Sequence, residues 1–308
     1  MCFHNASTIL IIRKNHSMKS IFLFFAIYVF SIGTLDAQLL DEPQRRILHK
    51  LGIKKIEKTI LSDSINSDYL WTEQEVNHLG FIIKQTYHNE GSRIVVQEFD
   101  YLHDSILIES QYIHQNEPNI KTKYSKNTYT KDLKRKTFSF YDGDRLQMRS
   151  KFKYTKDGEL EFKEERLYGI KGTNSYSGKK KYAYKYNAEG KVETVQLKDK
   201  TKGKTETKNY KNIYKSDPYT VENYLVSNNG EEDQIIDREV FDDQNRLKVS
   251  EHFSRRGNSI MHLANRKMEI KKGESQRKEY FYDDRGLIIL EVVSANRNQK
   301  IEIRYDYF

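Results

Sequence analysis

Tyr282-Asp283-Asp284-Arg285-Gly286-Leu287-Ile288 carries the spacing that decides the fold: an aromatic residue, Gly four positions later and an aliphatic residue six positions later. The aromatic closes one strand, and the polar residues after it make a turn. Gly supplies a left-handed backbone that a β-branched residue reaches only with strain, and the aliphatic residue opens the return strand on the same face. This is the spacing of a hairpin built on a type I turn followed by one left-handed residue. Tyr154, Gly158 and Leu160 repeat it, as do Tyr186, Gly190 and Val192. Phe241, Asn245 and Leu247 repeat it with Asn, the non-glycine residue that best tolerates that conformation. Val76, Gly80 and Ile82 form a weaker copy. Tyr141-Asp142-Gly143-Asp144-Arg145-Leu146 is a shortened variant, and Tyr87 with Gly91 and Ile94 a lengthened one.

The flanking segments alternate with period two. Tyr182, Tyr184 and Tyr186 are interleaved with Lys181, Ala183 and Lys185, and Phe152 and Tyr154 with Lys151 and Lys153. Ile301, Ile303 and Tyr305 alternate with Glu302 and Arg304 near the end. One packed face and one wet face are the mark of antiparallel sheets. Composition agrees: 22 Tyr and 15 Phe against 3 Pro, with 31% charged residues. These features predict an all-β chain of antiparallel β-hairpin repeats forming one large curved or rolled sheet, with a short N-terminal helix.

The helix is expected after Asp41, with Pro43 in its first turn, Ile47, Leu48 and Leu51 on one face, and Gly52 as its stop. Upstream, Met18-Lys19-Ser20 precedes the apolar run Ile21–Ile32 and then Leu35-Asp36-Ala37-Gln38, the tripartite pattern of a secretory signal peptide cleaved between Ala37 and Gln38. The apolar run is shorter than the roughly 20 residues needed to span a bilayer. Residues 1–17 read as a gene-start artefact ahead of a true start at Met18, the alternative start being Met1. The expected organisation is a signal peptide over 1–37, a helical lead-in over 38–52 and a single β-repeat domain over 53–308. The only cysteine, Cys2, precedes the cleavage site, so the exported part has no disulfide, thiolate nucleophile or sulfur ligand. The net charge of +9 comes from 53 basic and 44 acidic residues interspersed along the chain, which fits a solvated surface better than a nucleic-acid face. A mean hydropathy of −0.84 disfavours contact with lipid.

The Tyr-Asp-x-x-Gly-x-Leu hairpins resemble the YD repeats of the RHS family, most closely at Tyr282-Asp283 through Gly286 and in the variant Tyr141-Asp142. In that family the repeats form a long sheet that coils into a shell on exported or surface proteins, associated with carbohydrate binding or with enclosing a toxin. The resemblance covers roughly Tyr69 to Phe308. Spacing between copies is irregular, and the chain is too short for a large shell and has no toxin domain after Tyr282. The resemblance therefore implies the fold and the exported setting, and not the toxin function.

Catalytic motifs are absent. His49, His78, His88, His103, His114, His252 and His262 form no metal-binding pair at helical spacing, and there is no phosphate loop or nucleophile elbow. Asp142/Asp144, Asp242/Asp243 and Asp283/Asp284 offer two carboxylates each, where calcium wants six to eight oxygens, so they read as turn residues. Trp71 reads as a core anchor. Gly169–Lys179 and Lys198–Lys208 read as long hairpin tips, the second with an alternative role as a basic finger toward an anionic partner. No cofactor or metal is expected. The functional expectation is an exported, non-enzymatic binding or scaffold protein of the bacterial envelope, periplasmic or at the cell surface, with a glycan or another envelope component as ligand. It is expected not to bind nucleic acid or to span the membrane after cleavage. The alternatives are a glycoside-active enzyme with carboxylates on the sheet face and an outer-membrane β-barrel.

Overall fold

The computed structural model describes residues 42–61, 68–88, 95–103, 106–114, 122–169, 177–201, 204–227, 231–254, 259–263, 266–270, 274–296 and 299–308, and two short paired strands, His4–Asn5 and Thr8–Ile9. The signal segment and its cleavage residues Ala37 and Gln38 lie outside the described residues, as do Gly91 and Ile94.

Helix α1, Glu42–Leu51, ends as Gly52 turns left-handed (φ 67°) and the Gly52 and Ile53 amides donate back to the His49 and Leu48 carbonyls. Eighteen strands follow: β1 Lys55–Leu61, β2 Tyr69–Val76, β3 Ile82–Tyr87, β4 Val95–Leu102, β5 Ile106–His114, β6 Lys123–Tyr129, β7 Arg135–Asp142, β8 Arg145–Tyr154 and β9 Leu160–Leu167. The second half runs β10 Gly178–Tyr186, β11 Val192–Thr201, β12 Lys204–Ser216, β13 Tyr219–Val226, β14 Gln234–Phe241, β15 Leu247–Phe253, β16 Ser275–Tyr282, β17 Ile288–Asn296 and β18 Gln299–Tyr307. Each pairs antiparallel with its neighbour in sequence, and β18 pairs with β1 from Glu302↔Leu61 to Tyr307↔Ile56. The Phe308 carbonyl accepts from the Lys54 and Lys55 amides and completes the seam. The hairpins are those expected, but the curved or rolled sheet is corrected to a closed 18-strand barrel. Closure removes both unpaired edges that an open sheet would have to protect. An inserted hairpin, Ser259–Leu263 with Arg266–Ile270, lies between β15 and β16.

The even strands end at one rim of the barrel, the turn rim. Val76, Tyr129, Tyr154, Tyr186, Phe241, Tyr282 and Tyr307 are their last residues, and Tyr101 and Tyr214 stand one and two residues before the ends of β4 and β12; these nine are the closing positions. The spacing stays irregular along the chain, and degenerate copies fill the gaps between the ones read from sequence. The copies at Tyr101, Tyr129 and Tyr214 were hidden because their turns lack Gly or Asn at the fourth position. The first uses His103 at positive φ, the second places Leu133 itself at φ 58°, and the third passes through the cis Asp217–Pro218 bond. Gly80, Gly158, Gly190, Gly286 and Asn245 all have positive φ. The residue after the closing position binds the turn from inside: Asn77, Asn187, Asp242 and Asp283 each accept two backbone amides through Oδ1.

Seven closing tyrosines reach back to the hairpin before their own. Their hydroxyls donate to backbone carbonyls: Tyr101 to Ile82 (2.8 Å), Tyr129 to Leu107 (2.5 Å), Tyr154 to Arg135 (2.9 Å) and Tyr186 to Leu160 (3.0 Å). Tyr214 donates to Val192 (2.8 Å), Tyr282 to Leu247 (2.7 Å) and Tyr307 to Ile288 (2.7 Å). Val76 and Phe241 have no hydroxyl and leave two gaps in the ring. The aromatic of the repeat therefore packs inward and stitches one hairpin to the next.

Helix α1 sits on this rim. Arg45 Nη1 donates to the Leu79 carbonyl (2.7 Å), His49 Nδ1 to that of His78 (2.5 Å), and the Gln44 amide to that of Gly286. A Cβ on Gly80 would collide with the Arg45 carbonyl, and one on Gly286 would meet Ile47 Cδ1 at 3.0 Å. These two turns need glycine for the helix as well as for the backbone. Leu48 is fully buried in the main apolar cluster with Ile56, Ile60, Leu287 and Ile303, whereas Leu51, expected on the same face, is exposed.

Candidate functional site

Register and burial together divide the wall into two faces, and the inward one carries the main apolar cluster. The register links the fully buried residues into one such face: Asn127↔Phe138, Phe138↔Ser150, Ser150↔Glu165, Glu165↔Lys180 and Tyr182↔Leu197. On the far side Ile303↔Ile60 and Ile56↔Gln74 belong to it. The inner wall is as polar as it is apolar. Gln74 donates to Gln85 (3.0 Å), Ser110 and Ser125 share a bond (2.9 Å), and all four are buried.

Two ionic clusters sit on this wall. On β9–β11, Lys163 Nζ lies 2.6 Å from Glu165, which also accepts from the Tyr182 hydroxyl at 3.1 Å. Glu165 and Tyr182 are each 1% exposed. Burial lowers the Lys180 pKa against the pull of Asp199 and Glu165. Burial and the Glu165 charge push the Tyr182 phenol far up. On β16–β18, Glu291 accepts from Tyr305 (2.7 Å) and pairs with Lys278 (3.1 Å), while Lys58 lies 4.7 Å from the Tyr305 ring centre. Burial opposes the Glu291 charge, yet Lys278, Lys58 and the Tyr305 hydroxyl outweigh it and hold its pKa below the usual range.

A third inward group, on β12–β15, is open to water. Asn223 donates to Asn212 (2.7 Å), Asn223 pairs in register with Asp237, and Asp237 Oδ1 lies 2.6 Å from His252 Nδ1. Glu239 follows two residues after Asp237 on the same face, opposite Ser250, a separation of roughly 7 Å along a strand. Desolvation, then the neighbouring Asp237 charge, raises the Glu239 pKa. The cluster presents an oriented imidazole, two carboxylates and two amides, a set able to hydrogen-bond a polyhydroxylated ligand. Sequence reading passed over it. Its one available signal was the matched i, i+2 spacing of Asp237/Glu239 and Ser250/His252.

The outward face carries ion pairs on many of its strands. Lys55 lies 2.6 Å from both Glu57 and Glu73, and Lys84 pairs with Glu75 and Lys126 with Glu109. Across β13 to β16, Glu222, Arg238, Glu251 and Arg277 bond in sequence from strand to strand (3.0–3.2 Å).

Of the residues singled out from sequence, Tyr154, Tyr186, Phe241 and Tyr282 close strands at the turn rim, and Gly158, Gly190, Asn245 and Gly286 are their left-handed residues. Tyr141 and Asp142 stand apart from them. They belong to a two-residue turn at the opposite rim (Asp142↔Arg145), where Tyr141 faces outward and stacks on Tyr124 at 4.6 Å. Asp242 and Asp283 are committed to backbone amides and to Arg246 and Arg285. Trp71 packs beside the main cluster. Lys198–Thr201 and Lys204–Lys208 are the paired ends of β11 and β12. Among the described residues no group of three metal-ligating side chains forms, and no helix is long and apolar enough to cross a membrane.

No family model and no curated protein matches the chain. Among solved structures it is similar to a porin-like protein from Bacteroides uniformis, at 11% identity and a TM-score of 0.38, over 83% of this chain and 98% of that one. It is also similar to a chain of the TcdB2–TccC3 structure, at 11% identity and a TM-score of 0.25, over 75% of this chain and 16% of that one. At these scores neither likeness identifies a function, and what the chain does is to be argued from the barrel itself.

Proposed function

We propose that the chain is an exported barrel of the bacterial envelope that acts by binding a glycan or another envelope component, rather than by catalysis. The observation that carries this reading is the wall. Its outward side is a water-facing lattice of ion pairs, and its inward side offers the open polar group around Asp237, Glu239 and His252. Each carboxylate in the two buried clusters is held by a lysine or a tyrosine, an arrangement that supports a rigid binding surface. Protease shaving of intact cells, with fractionation and an internal tag, tests the setting. Recovery in the periplasmic or surface fraction without detergent is expected, and cytoplasmic retention would overturn it.

A second reading, an outer-membrane β-barrel, is favoured by the closure itself. An even number of antiparallel strands joined by short turns at one rim, and by mostly longer connections at the other, is a feature of such barrels. It asks the outward Lys and Arg residues to face lipid, at about 2–4 kcal/mol each near the midplane. Extraction only with detergent would establish it over the first reading. A glycoside-active enzyme would draw on Asp237 and Glu239, whose spacing is compatible with a carboxylate pair. Turnover of a polysaccharide, lost in Glu239→Gln, is the result it requires.

A further inference from the structure

One part of the outward wall gathers basic residues opposite one another. Elsewhere several cross-strand neighbours are complementary: Lys84 faces Glu98, Glu109 faces Lys126, and Arg238 faces Glu251. Acidic residues also meet there, Glu57 opposite both Glu73 and Asp306, and Asp100 opposite Glu109, and Glu57 and Glu73 share Lys55. On β8–β11 the register instead places Arg149 opposite Arg166, Arg166 opposite Lys179, and Lys179 opposite Lys200. One step along, Lys181 faces Lys198. Like charges directly opposite on a sheet are destabilising, so this row works against the fold it sits on.

Five of these six residues are exposed, and Lys179, half-buried, has Glu164 at 2.8 Å. Among the described residues no carboxylate lies within ion-pair distance of Arg149, Arg166, Lys181, Lys198 or Lys200. Their inward neighbours Ser150, Glu165, Lys180 and Leu197 are buried, which fixes the strands and holds the row outward. Four cationic groups therefore stand in a line across four strands, at about 4.7–4.9 Å per strand.

We propose that this row binds a linear polyanionic glycan of the uronate type. An extended polyuronate carries one carboxylate per sugar residue along a stiff chain, so several of them can meet a row of cations that crosses four strands. The phosphates of a nucleic-acid duplex wind away from such a line. The proposal rests on the exported, glycan-binding reading above and names its site and ligand class.

The test is binding of polygalacturonate by the chain from Gln38 to Phe308, read by titration calorimetry at low salt. Neutral dextran and a short DNA duplex serve as comparison ligands. Wild-type binding of polygalacturonate and not of dextran is expected. The combined variant Arg166→Ser, Lys179→Ser, Lys200→Ser should bind at least tenfold more weakly while melting at the same or a higher temperature, because it relieves like-charge contacts. Arg166→Ser alone should lose about threefold, and it keeps the test available if the combined variant fails to fold. Lys84→Ser, Lys126→Ser, Lys300→Ser removes the same net charge elsewhere on the wall and should bind as wild type. Equal weakening in the two triple variants, tighter binding of the duplex than of the glycan, or no wild-type binding would each overturn the site. Cell fractionation decides the envelope setting independently, so failure of the site and failure of that reading are told apart.

Discussion

Removing hydroxyls from the tyrosine ring tests how the repeat holds the barrel together. Tyr→Phe at position 154 keeps the ring and its burial, so the hydrophobic contribution cancels. What is lost is the 2.9 Å bond to the Arg135 carbonyl, which is left half-buried without its donor. A hydrogen bond of this kind contributes a net of about 0.5–1.5 kcal/mol. Tyr129, Tyr154 and Tyr186 join three successive pairs of hairpins, and Arg135 meets the first two, through its side chain and its carbonyl. Their combined effect should come to about 3 kcal/mol, with some coupling between Tyr129 and Tyr154. For a chain of this size that corresponds to a fall of about 6–12 °C in Tm. Urea titration should show a lower midpoint with an unchanged slope, since the exposed surface is the same. Tyr124→Phe, on the outward wall, is the control and should stay within about 0.5 kcal/mol of wild type. The reverse change, Phe241→Tyr, supplies one missing hydroxyl beside the start of β13 and should raise stability by up to about 1 kcal/mol. A triple variant indistinguishable from wild type, or a control that loses as much, would refute the claim that the hydroxyls bind hairpin to hairpin.

Leu133 sits exposed at φ 58°, a conformation that costs an L-residue about 1–2 kcal/mol, so Leu133→Gly should raise Tm by a few degrees. Gly80→Ala combines a φ of 84° with a collision against the Arg45 carbonyl. It should cost more than about 2 kcal/mol and release α1, seen as faster amide exchange over residues 44–51. Acid should destabilise the barrel through Glu73, Glu291, Asp242 and Asp283, all held below their ordinary pKa values. For Asp283, burial raises the pKa, but the Leu287 amide and Arg285 outweigh it. A depressed carboxylate stabilises fully above its unfolded pKa, here 3.8 for Asp and 4.5 for Glu, and that contribution is lost as pH falls through the folded values. Thermal melts should therefore be flat from pH 7 to about 5 and fall steeply below about 4, less steeply in Glu291→Gln; a flat profile to pH 2 would contradict the ion-pair assignments.

Hairpins, turn chemistry and the inward tyrosines were legible in the chain because each depends on residues within seven positions of one another. Gly158, Gly190, Gly286 and Asn245 advertise a left-handed turn residue wherever they occur. The copies at Tyr129 and Tyr214 were not legible, since the turns that follow them use Leu133 and a cis proline instead. Strands such as Tyr69–Val76 hid their register because the inner wall accepts Thr72 and Gln74, which blurs the apolar alternation. Closure was also out of reach. Pairing of Ile303 with Ile60 joins segments more than two hundred residues apart, and curvature accumulated over seventeen earlier pairings decides whether the last strand meets the first. The same holds for the sites. Lys163, Glu165 and Lys180 look like any charged strand residues until the wall turns them inward. Arg149, Arg166, Lys179 and Lys200 become a row only when four strands fall into register. Local backbone preference acts within a hairpin, whereas which charges meet across the sheet is set by register and closure, and those belong to the whole barrel.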